Sequence, residues 1–170
     1  MDKYKIITRL GEGAHGKVYL AQHLDTNEYV AIKKMFMDSD QGIKREAIRE
    51  IKLLQEIKNH INIIKCSDIF TYRKNMCLVL EYMALDLKLL YQKVDLNASC
   101  IKNLMQQILC GIKQCHNSWI VHRDIKPENF LISTNGTLKL ADFGLAKFYG
   151  TPSRYMTPRA CTIWYRAPEL

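Results

Sequence analysis

His122-Arg123-Asp124-Ile125-Lys126-Pro127-Glu128-Asn129, followed by Asp142-Phe143-Gly144, places carboxylate, ammonium and amide side chains at spacings that suit phosphoryl transfer. Moving a phosphoryl group from ATP to a hydroxyl requires a carboxylate to orient the attacking hydroxyl, a cation near the transferred phosphate, and divalent metal on its oxygens. Asp124 is the candidate for the first role and Lys126 for the second. Asn129 and Asp142 offer oxygen ligands for Mg2+. Any one of these residues alone means little, because surface turns hold such side chains by chance. Their order carries the weight: a glycine loop, an apolar strand ending in Lys33, a helix bearing Glu50, the two segments, then Ala167-Pro168-Glu169.

The loop Gly11-Glu12-Gly13-Ala14-His15-Gly16-Lys17-Val18 has the spacing of a phosphate-covering turn, in which glycine lets the backbone approach where a Cβ would intrude. The same spacing occurs where a loop opens into a dinucleotide-binding helix. Here Val18-Tyr19-Leu20-Ala21 continues as a strand, which excludes that alternative.

Elements that would position these groups are legible in the patterning. Residues 4–36 alternate apolar and polar character around glycines, as antiparallel strands do. Ile43, Ala47, Ile48, Ile51, Leu54 and Ile57 recur at helical spacing. Further strands are predicted at 64–71 and 76–82, which makes a five-stranded sheet with one helix. From Leu87 the period becomes helical, and Ile101, Leu104, Met105, Ile108, Leu109 and Ile112 read as the core-facing stripe of a helix over 98–116. Phe130-Leu131-Ile132 and Leu138-Lys139-Leu140, split by Asn135-Gly136, read as a hairpin between the two chemistry-bearing segments.

A chain of 170 residues with 48% apolar and 25% charged side chains can bury a core and is not of disordered type. No apolar run reaches the length of a membrane span and the N-terminus lacks a secretory stretch, so an intracellular protein without membrane association is expected. The 6 cysteines have no paired zinc-type spacing and read as reduced, mostly buried thiols. The formal charge of +8 suits nucleic acid or an acidic protein equally. Because Lys and Arg are scattered without interleaved aromatics, no direct nucleic-acid contact is expected.

Over residues 4–170 these motifs, in this order, resemble the eukaryotic protein kinases. The resemblance implies an α+β, bilobal protein kinase fold with a complete small lobe over 1–82, a hinge at 83–86, and the first part of a mainly helical large lobe over 87–170. It implies ATP and Mg2+ as cofactors, with Lys33 on the α and β phosphates held by Glu50. Adenine would hydrogen-bond to the backbone of Glu81 and Met83, behind the gatekeeper Leu80. Leu10, Val18, Ala31 and Leu131 would enclose the ring with apolar area.

Ala47-Ile48-Arg49-Glu50 and Trp164-Tyr165-Arg166-Ala167-Pro168-Glu169 are similar to cyclin-dependent kinases, and Leu145-Ala146-Lys147 with Thr151-Pro152 to their kinase-activating, transcription-associated branch. Thr157, and secondarily Thr151, are the implied activating phosphosites, with Arg49, Arg123 and Lys147 as cationic partners. Ala14 and His15 stand where many relatives carry inhibitory Thr-Tyr, so that control is expected to be absent. Implied partners are a cyclin on the helix around 43–57, a protein substrate with Ser-Pro or Thr-Pro, and a third assembly factor. The implied location is nucleus or cytoplasm. The sequence stops at Leu170, and a fragment or truncated product is expected. The alternative reading is a catalytically inactive truncated kinase that binds nucleotide or a cyclin.

Overall fold

A computed structural model describes residues 3–13, 16–35, 45–57, 59–73, 75–150 and 162–169. β1 (Tyr4–Gly13), β2 (Gly16–His23), β3 (Tyr29–Met35), β4 (Cys66–Tyr72) and β5 (Asn75–Glu81) form an antiparallel sheet in the order β1-β2-β3-β5-β4. β1 and β2 are joined through the glycine loop, where Gly13 pairs with Gly16. Gly16 has φ +145°, and a Cβ built there would lie 2.2 Å from the Lys34 carbonyl oxygen. Only glycine lets β2 leave the loop this close to β3. Ile32, Cys77, Leu78 and Val79 are buried in the sheet centre.

α1 (Arg45–Glu56) lies against this sheet, with Ala47 buried beside Met35 and Leu78, while Leu53 is buried in the cluster that holds Ile57, Ile63 and Phe143. Ile43 and Lys44 lie outside the described residues. The strand predicted from Ile64 begins at Cys66, because Ile64 is engaged elsewhere: its N–H donates to the Leu140 carbonyl at 2.9 Å. Leu140 N–H donates in turn to the Asn62 carbonyl at 2.9 Å, and the Asn62 amide donates to the Leu138 carbonyl at 2.8 Å. The connector after α1 is therefore fastened to the layer below.

That layer contains β6 (Leu85–Asp86), α2 (Leu87–Lys93), α3 (Ala98–Asn117), β7 (Ile120–Val121), β8 (Phe130–Ile132), β9 (Leu138–Leu140) and β10 (Lys147–Phe148). β6, β8 and β9 form one small sheet, and β7 pairs with β10. Asp86 caps α2 by accepting from Leu89 N–H, and Asn97 caps α3 by accepting from Cys100 N–H. Gly136 takes φ +82° in the β8–β9 turn. One apolar cluster runs through both layers, from Leu53, Ile57 and Ile63 to Phe130, Leu138, Leu140 and Phe143.

The stripe on α3 faces the core in part, with Leu104, Ile108 and Ile112 in or against the apolar cluster. Ile108, Gly111 and Cys115 are buried, whereas Ile101, Met105 and Leu109 are 48%, 47% and 59% exposed. The helix meets β7 and β9 along one edge, narrower than its apolar face. Burial of the cysteines is less general than the sequence suggests, with Cys77 and Cys115 buried but Cys100 and Cys110 exposed, and desolvation pushes the Cys115 thiol pKa up to about 12.

Candidate active site

Lys33 sits on β3, whose alternation turns it inward, and α1 turns Glu50 toward it. Lys33 Nζ donates to Glu50 Oε1 at 2.7 Å and Oε2 at 2.9 Å, and to Asp142 Oδ1 at 2.8 Å. Lys33 and Glu50 are only 8% and 2% exposed. Burial pulls the Lys33 ammonium down, but the two carboxylates together outweigh it and hold its pKa above the ordinary value. A permanent cation thus stands between the upper sheet and the segment after β9.

Asp142 and Arg123 adopt left-handed backbone conformations, φ +59° and +65°, that cost a non-glycine residue strain. The surroundings enforce both. Phe143, fully buried, packs edge-on to His122 with ring centroids 4.8 Å apart. His122 Nδ1 accepts from Asp124 N–H at 3.3 Å, which leaves Nε2–H to donate to the Ala141 carbonyl at 2.9 Å. Burial lowers the His122 pKa and keeps this neutral tautomer. Arg123 Nε donates to the Leu145 carbonyl at 2.7 Å. Strain in the two segments is held by contacts between them.

Asp124 is 5% exposed and its carboxylate is filled with donors. Oδ2 accepts from Asn129 Nδ2 at 3.0 Å and pairs with Lys126 Nζ at 2.7 Å, while Oδ1 accepts from Thr162 Oγ1 at 2.7 Å and Thr162 N–H at 3.3 Å. Burial alone would raise its pKa, yet these donors, Lys126 and Thr162 foremost, bring it below the ordinary carboxylate value. Asp124 is therefore fixed and ionised at neutral pH. Asn129 Nδ2 also donates to the Asp124 carbonyl at 2.7 Å, which commits the amide nitrogen.

A cleft of about 510 Å³ joins these groups. Of the residues anticipated from sequence, Leu10, Gly13, Gly16, Val18, Ala31, Lys33, Glu50, Leu80, Glu81, Met83, Asp124, Lys126, Asn129, Leu131 and Asp142 line it. Gly11, Glu12 and Lys17 are not among its walls; Glu12 pairs with Arg9 at 2.9 Å and Lys17 at 3.4 Å. Ala14, His15, Thr151 and Thr157 lie outside the described residues. Leu10, Val18, Ala31 and Leu131 give one part of the cleft apolar walls, and the carboxylates of Glu50, Asp124 and Asp142, the Asn129 amide and the ammonium groups of Lys33 and Lys126 line another. The first part fits a purine and the second a magnesium-bound polyphosphate.

Residues 4–170 match the protein kinase domain family. The chain belongs to that family. Among curated relatives it is 48% identical to cyclin-dependent kinase 7 of Dictyostelium discoideum, over all of this chain and 49% of the relative. It is 45% identical to cyclin-dependent kinase 20 of Danio rerio, over all of this chain and 51% of that protein. It is 47% identical to cyclin-dependent kinase 7 of Caenorhabditis elegans, over 99% of this chain and 52% of that protein. This kinase chain thus spans about half the length of the curated relatives it matches, and its fold is the kinase small lobe with part of the large lobe.

Thr162 is a residue of this kinase site that sequence reasoning missed. Thr162 grips the Asp124 carboxylate and also accepts from Lys126 Nζ at 3.1 Å. Its only sequence signal is a hydroxyl two positions before Trp164, at the edge of the motif ending in Glu169. Asp86, Glu128 and Ala141 also line the cleft without having been singled out.

Proposed function

We propose that this chain carries the catalytic machinery of a cyclin-dependent Ser/Thr protein kinase, which transfers the γ-phosphate of ATP to Ser or Thr in Ser-Pro, Thr-Pro or kinase activation-loop sites. The observation that carries the reading is the continuous chain of contacts from Glu50 through Lys33 to Asp142, beside a fixed, ionised Asp124. The lobes are assigned to 1–82 and 87–170, with the hinge at 83–86.

Magnesium ATP, when bound, supplies the transferable group and the metal that neutralises its oxygens. Lys33 would hold the phosphates, and Glu50 holds Lys33. Asn129 and Asp142 would hold the metal. Asp124 orients the substrate hydroxyl. A carboxylate whose pKa is depressed is a weak general base, so Asp124 contributes orientation first and takes the proton late, as suits a loose transition state. Lys126, 2.7 Å from Asp124, would hold the transferred phosphate.

Regulation follows the same reading. Ile48, 40% exposed on the outer face of α1, is part of the surface offered to a cyclin, which would hold Glu50 inward. Among the described residues Arg123 Nη1 is buried without a hydrogen-bond partner, and burial with Arg49 nearby lowers the Arg123 pKa. Two guanidinium groups gathered in this way await an anion, which supports phosphorylated Thr157 as the occupant, with Thr151 as a second site. Control of the cell cycle or transcription, in nucleus or cytoplasm, belongs to this reading. A third assembly factor belongs to this reading as well. Among the described residues no helix is long and apolar enough to cross a membrane.

Thermal melting of the chain with and without magnesium ATP, beside Asp142→Asn, tests the site. A Tm raised by magnesium ATP in the unmutated chain alone is the expected result. An equal rise in Asp142→Asn sinks the metal assignment, and no rise in either sinks the nucleotide site.

A further inference from the structure

Among the described residues two ion pairs cross from the upper sheet to the layer below it: Lys33–Asp142 inside the cleft, and Glu81–Lys139. The second lies at the back. Lys139 lines a separate cavity with Ile63, Ile64 and Lys65 and is not a wall of the nucleotide cleft, whereas Glu81 is. No catalytic role assigned above uses Lys139.

Its position gives it another role. On the lower side, the connection between layers is fastened by main chain: Ala84 N–H donates to the Ile132 carbonyl at 2.9 Å, and Leu85 and Asp86 pair with Ile132 and Leu131. On the upper side, Glu81 is still within β5, opposite Val30 of β3. Between these two anchorages the chain must turn, and there the Glu81 carboxylate acts as a clasp. Its Oε1 accepts from Lys65 N–H at 2.7 Å and from Lys139 Nζ at 2.8 Å. Lys139 stands directly opposite Leu131 across the β8–β9 hairpin and three residues before Asp142. The pair therefore ties the edge of the adenine slot to the strands that carry its floor and its metal-side carboxylate.

We infer that Lys139, acting through Glu81, is a positioning residue for nucleotide, setting the gap between the hinge backbone and the Leu131 floor. This rests on the nucleotide reading of the cleft. The pair coexists with an assembled Lys33–Glu50–Asp142 chain, so it belongs to the competent arrangement and does not restrain an inactive one. A bound polyphosphate and metal compete for Lys33 and Asp142, whereas neither reaches Lys139. The rear pair is then the ion pair that still joins the layers when the site is filled.

The side chains are 14% and 31% exposed, so the effect is that of a partly screened pair. Lys139→Met is expected to weaken nucleotide binding by about two- to fivefold, with Lys139→Arg close to unmutated. The measurement is equilibrium titration of the chain with a fluorescent ATP analogue and magnesium, with a melt of each variant. Glu81→Gln keeps an oxygen for the Lys65 amide and must reproduce the Lys139→Met shift, which separates the clasp from any folding defect peculiar to one variant. With cyclin present, KM for ATP should rise by the same factor at constant kcat. Unchanged affinity in Lys139→Met overturns the inference, and so does a higher kcat at constant affinity, which would make the pair a restraint. Failure of the unmutated chain to bind the analogue overturns instead the reading of the cleft.

Discussion

Replacing Lys33 by methionine removes the cation from between two carboxylates, one of them, Glu50, only 2% exposed. Breaking a buried pair by removing one partner costs about 3–5 kcal/mol, because the remaining charge keeps its desolvation penalty. Glu50→Gln is milder: the amide oxygen still accepts, and Asp142 at 2.8 Å still neutralises Lys33, so the loss is that of a charge-assisted hydrogen bond, about 1.5–3 kcal/mol. For a chain of this length 1 kcal/mol shifts Tm by roughly 2–4 °C. The two singles are thus separable by melting. In Lys33→Met/Glu50→Leu both buried charges are gone and Asp142, with a side chain 32% exposed, can turn to water. That double variant should regain stability to within about 1–2 kcal/mol of the unmutated chain, since apolar replacement of a buried pair is often neutral. Nucleotide binding should nevertheless stay lost in each variant that lacks Lys33. The assays are denaturant or thermal unfolding of the unmutated chain, Lys33→Met, Glu50→Leu and the double variant as a closed double-mutant cycle, with Glu50→Gln beside them and nucleotide titration of each. Additive destabilisation, or nucleotide affinity retained without Lys33, refutes the reasoning.

Thr162→Ala removes the 2.7 Å hydrogen bond on Asp124 Oδ1 and should lower kcat about ten- to a hundredfold with little change in KM for ATP, with Thr162→Ser restoring it; equal kcat in all three would show that the contact is passive. His122 has a lowered folded pKa, so its contribution to stability is full above the ordinary value of about 6.5 and is lost as pH falls from there toward the folded value. The acid branch of a Tm–pH curve should accordingly flatten in His122→Asn. Gly16→Ala would set a Cβ 2.2 Å from the Lys34 carbonyl in a left-handed conformation, and should cost at least about 1–3 kcal/mol and loosen the loop over the cleft; unchanged Tm and nucleotide affinity would disprove that crowding.

Much of this site is legible in the sequence because its chemistry is written in contiguous segments. Asp124, Lys126 and Asn129 fall within six residues, and strand period two places Lys33 and Ala31 on the cleft side while Ile32 is buried in the sheet. What escapes is set by distance along the chain. Thr162 reaches Asp124 across 38 residues, and Lys139 reaches Glu81 across 58, pairs that no local periodicity signals. The α3 stripe shows the opposite failure. Helical spacing reports which side chains are apolar, not how much of that face is covered, so Ile101, Met105 and Leu109 fit the pattern and are exposed. The start of β4 likewise shifts from Ile64 to Cys66 because hydrogen bonds to Leu140, invisible in the local sequence, take up the preceding residues.

Transfer of radiolabelled γ-phosphate from ATP to a Ser-Pro or Thr-Pro substrate, with cyclin and magnesium, should be run on the unmutated chain beside Asp124→Asn, with nucleotide affinity measured on both. The expected result is magnesium-dependent incorporation that falls by about 10²–10⁴ in Asp124→Asn at unchanged nucleotide affinity. Equal incorporation in the two chains, or none in the unmutated chain while it binds nucleotide and cyclin, would contradict a kinase built on this site.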